Sequence, residues 1–138
     1  MENGYKNIIH AEYFALNELP FQSYTRFVKS GKITLKIDLR CVKFIVAQGN
    51  YSKIFFDDHK TLLLSIQIHK IRDFLKDNSF IRVHRSYIIS ISKIDKIEDD
   101  MVYIKNHNLP IGKSYKQDFF KCIHGLIITG NDTFGLDI

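Results

Sequence analysis

The sequence predicts a mainly β domain with one short internal helix and a C-terminal helix. Three observations carry this expectation. Apolar and polar residues alternate over several short stretches from Arg26 onward, as in half-buried strands. Turn-forming residues punctuate the chain at about the eight-to-twelve-residue spacing of all-β domains. A helical apolar stripe is convincing at one internal place only, between Leu64 and Leu75.

The 138 residues suit one ordinary domain with room for an appendage. A hydrophobic share of 45% and a charged share of 25% are those of a globular protein. No apolar run approaches the roughly 20 residues that span a bilayer. The opening MENGYKNIIH lacks the basic start and long apolar core of a secretion signal. The expected location is the cytoplasm. There, Cys41 and Cys122 are expected to be buried small apolar residues rather than a disulfide. The net charge is +5, and residues 1–20 set Lys6 against Glu2, Glu12 and Glu18. The positive surplus therefore lies in the rest of the chain, where it suits a polyanionic partner.

In chain order, Ile8, Ile9, Tyr13, Phe14 and Leu16 fit one side of a short helix that Pro20 stops. This piece fits a linker, a dimer contact or the remnant of a connection to another domain. Phe27-Val28-Lys29 leads into the turn Ser30-Gly31-Lys32. Ile33, Leu35, Ile37 and Leu39 then alternate with polar residues, completing a hairpin. Val42 to Val46 is a more fully buried run. Gln48-Gly49-Asn50 breaks it before the strand Tyr51 to Phe56, and Asp57 to Lys60 forms a polar turn before Thr61 to Leu64. Ser65 is the expected N-cap of a helix carrying Leu64, Ile68, Ile71 and Leu75, with Phe74 widening the stripe. Lys76 to Ser79 ends it.

Phe80 to Lys93, FIRVHRSYIISISK, is the most informative stretch. Ile81 and Val83 alternate with Arg82 and His84, the pattern breaks at His84-Arg85-Ser86, and an apolar run resumes from Tyr87 to Ile91. The buried flanks fix a basic, donor-rich tripeptide that points at something negative or hydrogen-bonding. Ile94, Ile97, Met101, Val102 and Ile104 then fall in short strands around the turn Glu98-Asp99-Asp100. Asn106 to Asn108 is another turn, Leu109-Pro110-Ile111 is extended, and Gly112-Lys113-Ser114 is a second small basic loop. Ser114 is the expected cap of a last helix through Phe119, Phe120 and Ile123.

These segments, over roughly residues 26–124, resemble the LytTR family of DNA-binding domains, which end many AlgR/AgrA-type bacterial response regulators. The resemblance rests on Gly49-Asn50-Tyr51, the Leu64–Leu75 helix, Phe80 to Tyr87 and Leu109 to Lys113, in the family's order. The F-I-R-x-H-R-S-Y string is its specific part. Three departures stand out: Val46-Ala47-Gln48 where an acidic residue is common, Ser90 where Asn is frequent, and Gly112-Lys113 where Ser-Arg is frequent. The last keeps the charge and loses the planar, bidentate guanidinium.

The resemblance implies an elongated β-β-β arrangement of mostly antiparallel sheets, with loops on one side entering the major groove. It implies a cytoplasmic bacterial transcription regulator of two-component type, acting on double-stranded DNA, with paired direct repeats and a homodimer on DNA. No cofactor, membrane or small-molecule substrate is implied. The chain divides accordingly into an extension or linker (1–25), the DNA-binding domain (26–124) and a tail (125–138). Its length leaves no room for a full receiver domain, so a stand-alone regulator and a piece of a response regulator both fit. Carried over residue by residue, the DNA-binding positions are Asn50, Tyr51, Lys53, His84, Arg85, Ser86, Lys113 and Ser114.

The residue types suit these roles on their own chemistry. Arg85 can give two parallel hydrogen bonds to guanine O6 and N7, and Asn50 has the donor and acceptor for adenine N6 and N7. Lys53, Lys113, Ser86 and Ser114 suit phosphate oxygens, which set register rather than sequence. Tyr51 can give its hydroxyl to a phosphate. His84 can meet a base or phosphate, better when protonated. Arg82, two residues before His84, could reach a phosphate from the same strand face. Each position also has a structural role open to it: a surface ion pair for Arg85, a backbone-bonded ring for His84, a left-handed turn at Asn50, core packing for Tyr51 and Tyr87, and a simple approach to a helix for Gly112 to Ser114.

An enzyme is not expected. The six histidines are scattered without metal-ligand spacing, Gly112-Lys113-Ser114 lacks the upstream glycine of a phosphate-cradling loop, and Asp57-Asp58 and Asp99-Asp100 sit in turns. Two rival readings remain. A single-stranded nucleic-acid binder would need several exposed aromatics on one sheet. A protein-interaction module would work through residues 1–25 and the tail.

Overall fold

The computed structural model describes residues 20–75 and 79–130. Their elements are α1 (Phe21–Tyr24), β1 (Thr25–Ser30), β2 (Ile33–Asp38), β3 (Val42–Gln48), β4 (Tyr51–Phe56), β5 (Thr61–Leu64), α2 (Ile68–Ile71), β6 (Phe80–His84), β7 (Tyr87–Ser90), β8 (Lys96–Glu98), β9 (Met101–Ile104), β10 (His107–Pro110) and α3 (Lys116–Ile123). The strands form three antiparallel sheets: the hairpin β1-β2, a central sheet ordered β5-β4-β3-β7-β6, and a three-stranded sheet ordered β10-β9-β8. The mainly β class with a short internal helix and a C-terminal helix is the observed one.

The central sheet is covered on both faces, which explains the near-continuous apolar run in β3. Successive strand residues point to opposite faces. Ile45, Ile54 and Ile88 therefore join Ile37, Leu39, Val42, Ile68, Ile71 and Leu75 in a core beneath the hairpin and α2. Their neighbours Phe44 and Ile89 join Val83, Val102, Ile104, Leu109, Ile111, Phe119 and Ile123 in a second core beneath the three-stranded sheet and α3. Pro110 lies on the edge strand β10, where its missing N–H is tolerated.

Several expectations need correcting. The internal helix starts at Ile68, not Ser65, and its last part, Arg72–Leu75, tightens into a 3-10 turn. Leu64 is committed to β5, paired with Ser52, and the Ser52 hydroxyl donates to the Ile66 carbonyl at 2.7 Å. Those two contacts keep residues 65–67 out of the helix, with Ser65 and Ile66 in bends and Gln67 as its N-cap, so Ser65 caps nothing. Ile68, Ile71 and Leu75 fill the core side, leaving Phe74 57% exposed on the outside, where its carbonyl accepts from Arg26 Nε at 2.7 Å. The hairpin meets the core through Val28 on β1 and Ile37 near the end of β2, whereas Ile33 near its tip is 69% exposed and Leu35 is exposed as well. Ile94 follows a 3-10 turn (Ile91–Lys93) and belongs to no strand.

The cysteines are also corrected: both are exposed. Cys41 ends a 3-10 turn whose inward side chain is Leu39, and Cys122 lies on the outer side of α3, which turns Phe119 and Ile123 inward. The N-terminal helix proposed around Ile8 to Leu16 and the helix end at 76–78 lie outside the described residues.

Candidate nucleic-acid interface

Three loops gather at one end of the central sheet. Gln48 pairs with Tyr51, which makes Gly49-Asn50 the two-residue connection of the β3–β4 hairpin. His84 pairs with Tyr87, which makes Arg85-Ser86 the connection of β6–β7. Val46 pairs with Tyr87, and the Ala47 N–H donates to the Ser86 carbonyl at 2.8 Å, so the two connections project from the same end. In the strand order they lie two strands apart, about 10 Å at ordinary strand spacing. The third loop, Gly112 to Tyr115, joins from the side of the edge strand β6. There the Gly112 N–H donates to the Val83 carbonyl at 2.6 Å, beside the register irregularity between Arg82 and His84.

In the first loop Gly49 takes the positive φ of +61°, so the left-handed position falls to glycine and not to Asn50. Asn50 is exposed, and its Oδ1 accepts from Gln67 Nε2 at 2.8 Å. That bond fixes the amide plane and leaves the NH2 as a donor toward solvent. Tyr51 is 46% exposed, so its place is on the surface rather than in the core. Lys53 lies on the same strand face, its ammonium 5.4 Å from the centre of the Phe55 ring.

In the second loop the Ser86 N–H donates to His84 Nδ1 at 3.0 Å. An accepting Nδ1 puts the ring proton of the neutral imidazole on Nε2, which becomes the donor available to a ligand. The His84 ring packs against Tyr87 with centroids 5.1 Å apart. Arg85 at the tip is exposed, and among the described residues it makes no ion pair, nor do Lys53 and Lys113.

The third loop places Lys113 and Ser114 in the open, and with Gly112 and Tyr115 they face His84 and Arg85 across a shallow cleft of about 390 Å³. Ser114 is not the helix cap. α3 begins at Lys116 after Tyr115, one residue further on, and no side chain caps it.

The fold thus brings together all eight predicted positions at one end, in two groups: Asn50, Tyr51 and Lys53 on β3–β4, and His84, Arg85, Ser86, Lys113 and Ser114 around the cleft. Sequence reasoning missed Gln67, which orients Asn50, and Tyr115, which walls the cleft. It did not foresee the bonds of Arg82, whose guanidinium turns back onto the second loop: Nε donates to the His84 carbonyl at 3.1 Å and Nη2 to the Arg85 carbonyl at 2.5 Å. A lone Arg on a strand gives no sign of such bonds. Among the described residues no three His, Cys, Asp or Glu side chains gather as a metal site, and no helix is long and apolar enough to cross a membrane.

The LytTr DNA-binding domain family matches the chain over residues 32–124. Among solved structures, the chain is similar to a Bacillus cereus domain described as the LytTr DNA-binding domain of a response regulator. The identity is 21% and the TM-score 0.62, over 72% of this chain and 96% of that one. At that identity the likeness shows the fold. No curated protein matches the chain.

Proposed function

The chain belongs to the LytTr family of DNA-binding domains, and from that premise we propose that it regulates transcription by reading double-stranded DNA with loops rather than with a recognition helix. The observation that carries this reading is the convergence of the three loops at one sheet end, with Arg85 exposed and unpaired among the described residues at the tip of the middle one. A two-residue tip fits a major groove about 12 Å wide. Arg85 then gives its two parallel donors to guanine O6 and N7, and the outward His84 Nε2–H gives one more. The Asn50 NH2 and the Tyr51 hydroxyl reach the strand on one flank, and Lys113 and Ser114 reach phosphates on the other. Lys53 adds charge beside Tyr51.

A single-stranded platform is less well served. It needs exposed aromatics side by side, whereas among the described residues Phe21, Phe27, Tyr51 and Phe74 are the exposed rings, and only Tyr51 lies at the end where the loops converge. Paired direct repeats and a dimer assembled on them complete the proposal. They fit a domain whose reading surface is one compact sheet end, short of the contact length of a long operator.

The test is selection from a pool of random duplexes, followed by anisotropy titration of the winner at several salt concentrations, with Arg85→Ala alongside. We expect one duplex to win and log affinity to fall linearly with log salt, about 0.9 per phosphate contact. Arg85→Ala should cost about 1–3 kcal/mol on the selected duplex and far less on random duplex. Single strands binding as well as the best duplex would sink the reading.

A further inference from the structure

We propose that Arg82 is a positioning residue that locks two reading loops into one rigid unit, and that it touches no phosphate itself. The inference rests on the DNA-reading role of the loops at 84–86 and 112–115.

Arg82 sits on β6, between the loops rather than at either tip. Its guanidinium spends two donors on the carbonyls of His84 and Arg85, the residue that precedes the turn and the first residue within it. Both bonds run to backbone, so they fix the course of the turn from which the Arg85 side chain departs. The same guanidinium lies 5.8 Å from the centre of the Tyr115 ring, within reach of a cation–π contact. Tyr115 in turn closes the third loop, its N–H donating to the Gly112 carbonyl at 2.9 Å. One planar cation therefore bonds to the second loop and lies within cation–π range of the third. Lysine does not replace it, because a single ammonium does not present its donors in a flat fork to two carbonyls.

A second observation marks the same seam. A Cβ at Gly112 would lie 3.1 Å from Tyr115 Cδ2, 3.4 Å from His84 Cδ2 and 3.5 Å from His84 Cα. The His84 distances are ordinary packing contacts and the Tyr115 distance is a tight one, so a methyl here presses on the Tyr115 ring where the third loop lies against His84, and the Gly112 N–H to Val83 carbonyl bond holds the loop there.

The inference separates cleanly from a phosphate contact. Removing a phosphate contact weakens binding to all duplexes alike and lowers the salt slope by about 0.9. Removing a clamp leaves the slope in place and erodes the preference for the selected duplex. The experiment measures affinity for selected and random duplex against salt for the whole chain and its Arg82→Gln, Arg82→Lys and Gly112→Ala variants. Thermal melting of each reports whether it is folded. We expect Arg82→Gln and Gly112→Ala to lower the selected-to-random ratio about tenfold, the scale of one lost base contact, with the salt slope unchanged. Arg82→Lys should not restore the ratio. In an Arg85→Ala background, Arg82→Gln should cost much less, since its effect passes through that side chain.

A salt slope that falls by about one contact in Arg82→Gln and returns in Arg82→Lys overturns the inference in favour of a phosphate contact. So does a preserved ratio in a folded Arg82→Gln chain. If Arg82→Gln does not fold, Gly112→Ala decides alone, because it removes no charge and no hydrogen bond. A wild-type chain with no duplex preference overturns the DNA reading itself, and this inference with it.

Discussion

His84 and His107 show how the same side chain is put to opposite uses. His84 stands at a loop tip with its tautomer set by a backbone amide, so its outward nitrogen is a fixed donor. His107 opens β10 and lies edge-on to Phe44, with centroids 4.8 Å apart, and to Phe55 at 5.8 Å. Burial against these rings pushes its pKa down, and the nearby charges of Lys43 and His59 push the same way. The sign of the consequence follows from linkage. The unfolded chain binds the proton more readily than the folded one, so the stability His107 contributes is complete above the ordinary imidazole range and is lost as the pH falls from about 6.5. We expect His107→Phe, which keeps the aromatic packing and cannot charge, to flatten the acid side of the stability curve. Urea midpoints between about pH 7.5 and pH 5, the window of imidazole titration, check it. Parallel curves for the two proteins would assign the acid sensitivity elsewhere.

At the scale of elements, the short segment between β5 and α2 does more than connect. Ser52 is fully buried in β4, and its hydroxyl holds the Ile66 carbonyl. The next residue, Gln67, carries the amide that orients Asn50. A buried β-strand serine thus sets the start of a helix and, through it, one corner of the proposed reading surface. Ser52→Ala would leave the Ile66 carbonyl without its partner, a loss of about 1–3 kcal/mol for a buried acceptor. Chemical denaturation should show that loss, and the DNA preference contributed by Asn50 should weaken with it. A variant as stable as the parent would mean that water replaces the hydroxyl. This is also where the sequence is hardest to read. The spacing of Leu64, Ile68, Ile71 and Leu75 is helical, yet Leu64 is drawn into the sheet by its pairing with Ser52. A long-range pairing overrode a local period. The strands of β3, β4, β6 and β7 were legible because each carries its own alternation or apolar run between turn residues.

For the molecule as a whole, the decisive feature is a central sheet with a core on each face and the three loops of the proposed interface at one end. The β6–β7 connection stood out in the sequence because a basic tripeptide interrupts two apolar runs, and the proposed function rests on it. The roles of Arg82, Gln67 and Gly112 were not legible, since each is defined by what another part of the chain brings beside it. The two cores are not equivalent with respect to that end. The core under α3 holds Val83, Ile111 and Phe119, so it braces both the second and the third loop. The core under the hairpin holds Ile37 at the base of β2, far along the chain from either loop. Truncation should therefore separate stability from recognition. Phe119→Ala is expected to cost about 3–5 kcal/mol and Ile37→Ala about 2–5 kcal/mol. Only the first should also lower the DNA affinity of the molecules that remain folded, because α3 and the Gly112–Tyr115 loop lose their common anchor. Denaturation curves give the first quantity, and anisotropy titrations corrected for the folded fraction give the second. Equal losses of affinity in the two variants would mean that the sheet transmits strain through its full thickness, and that the working end depends on both cores.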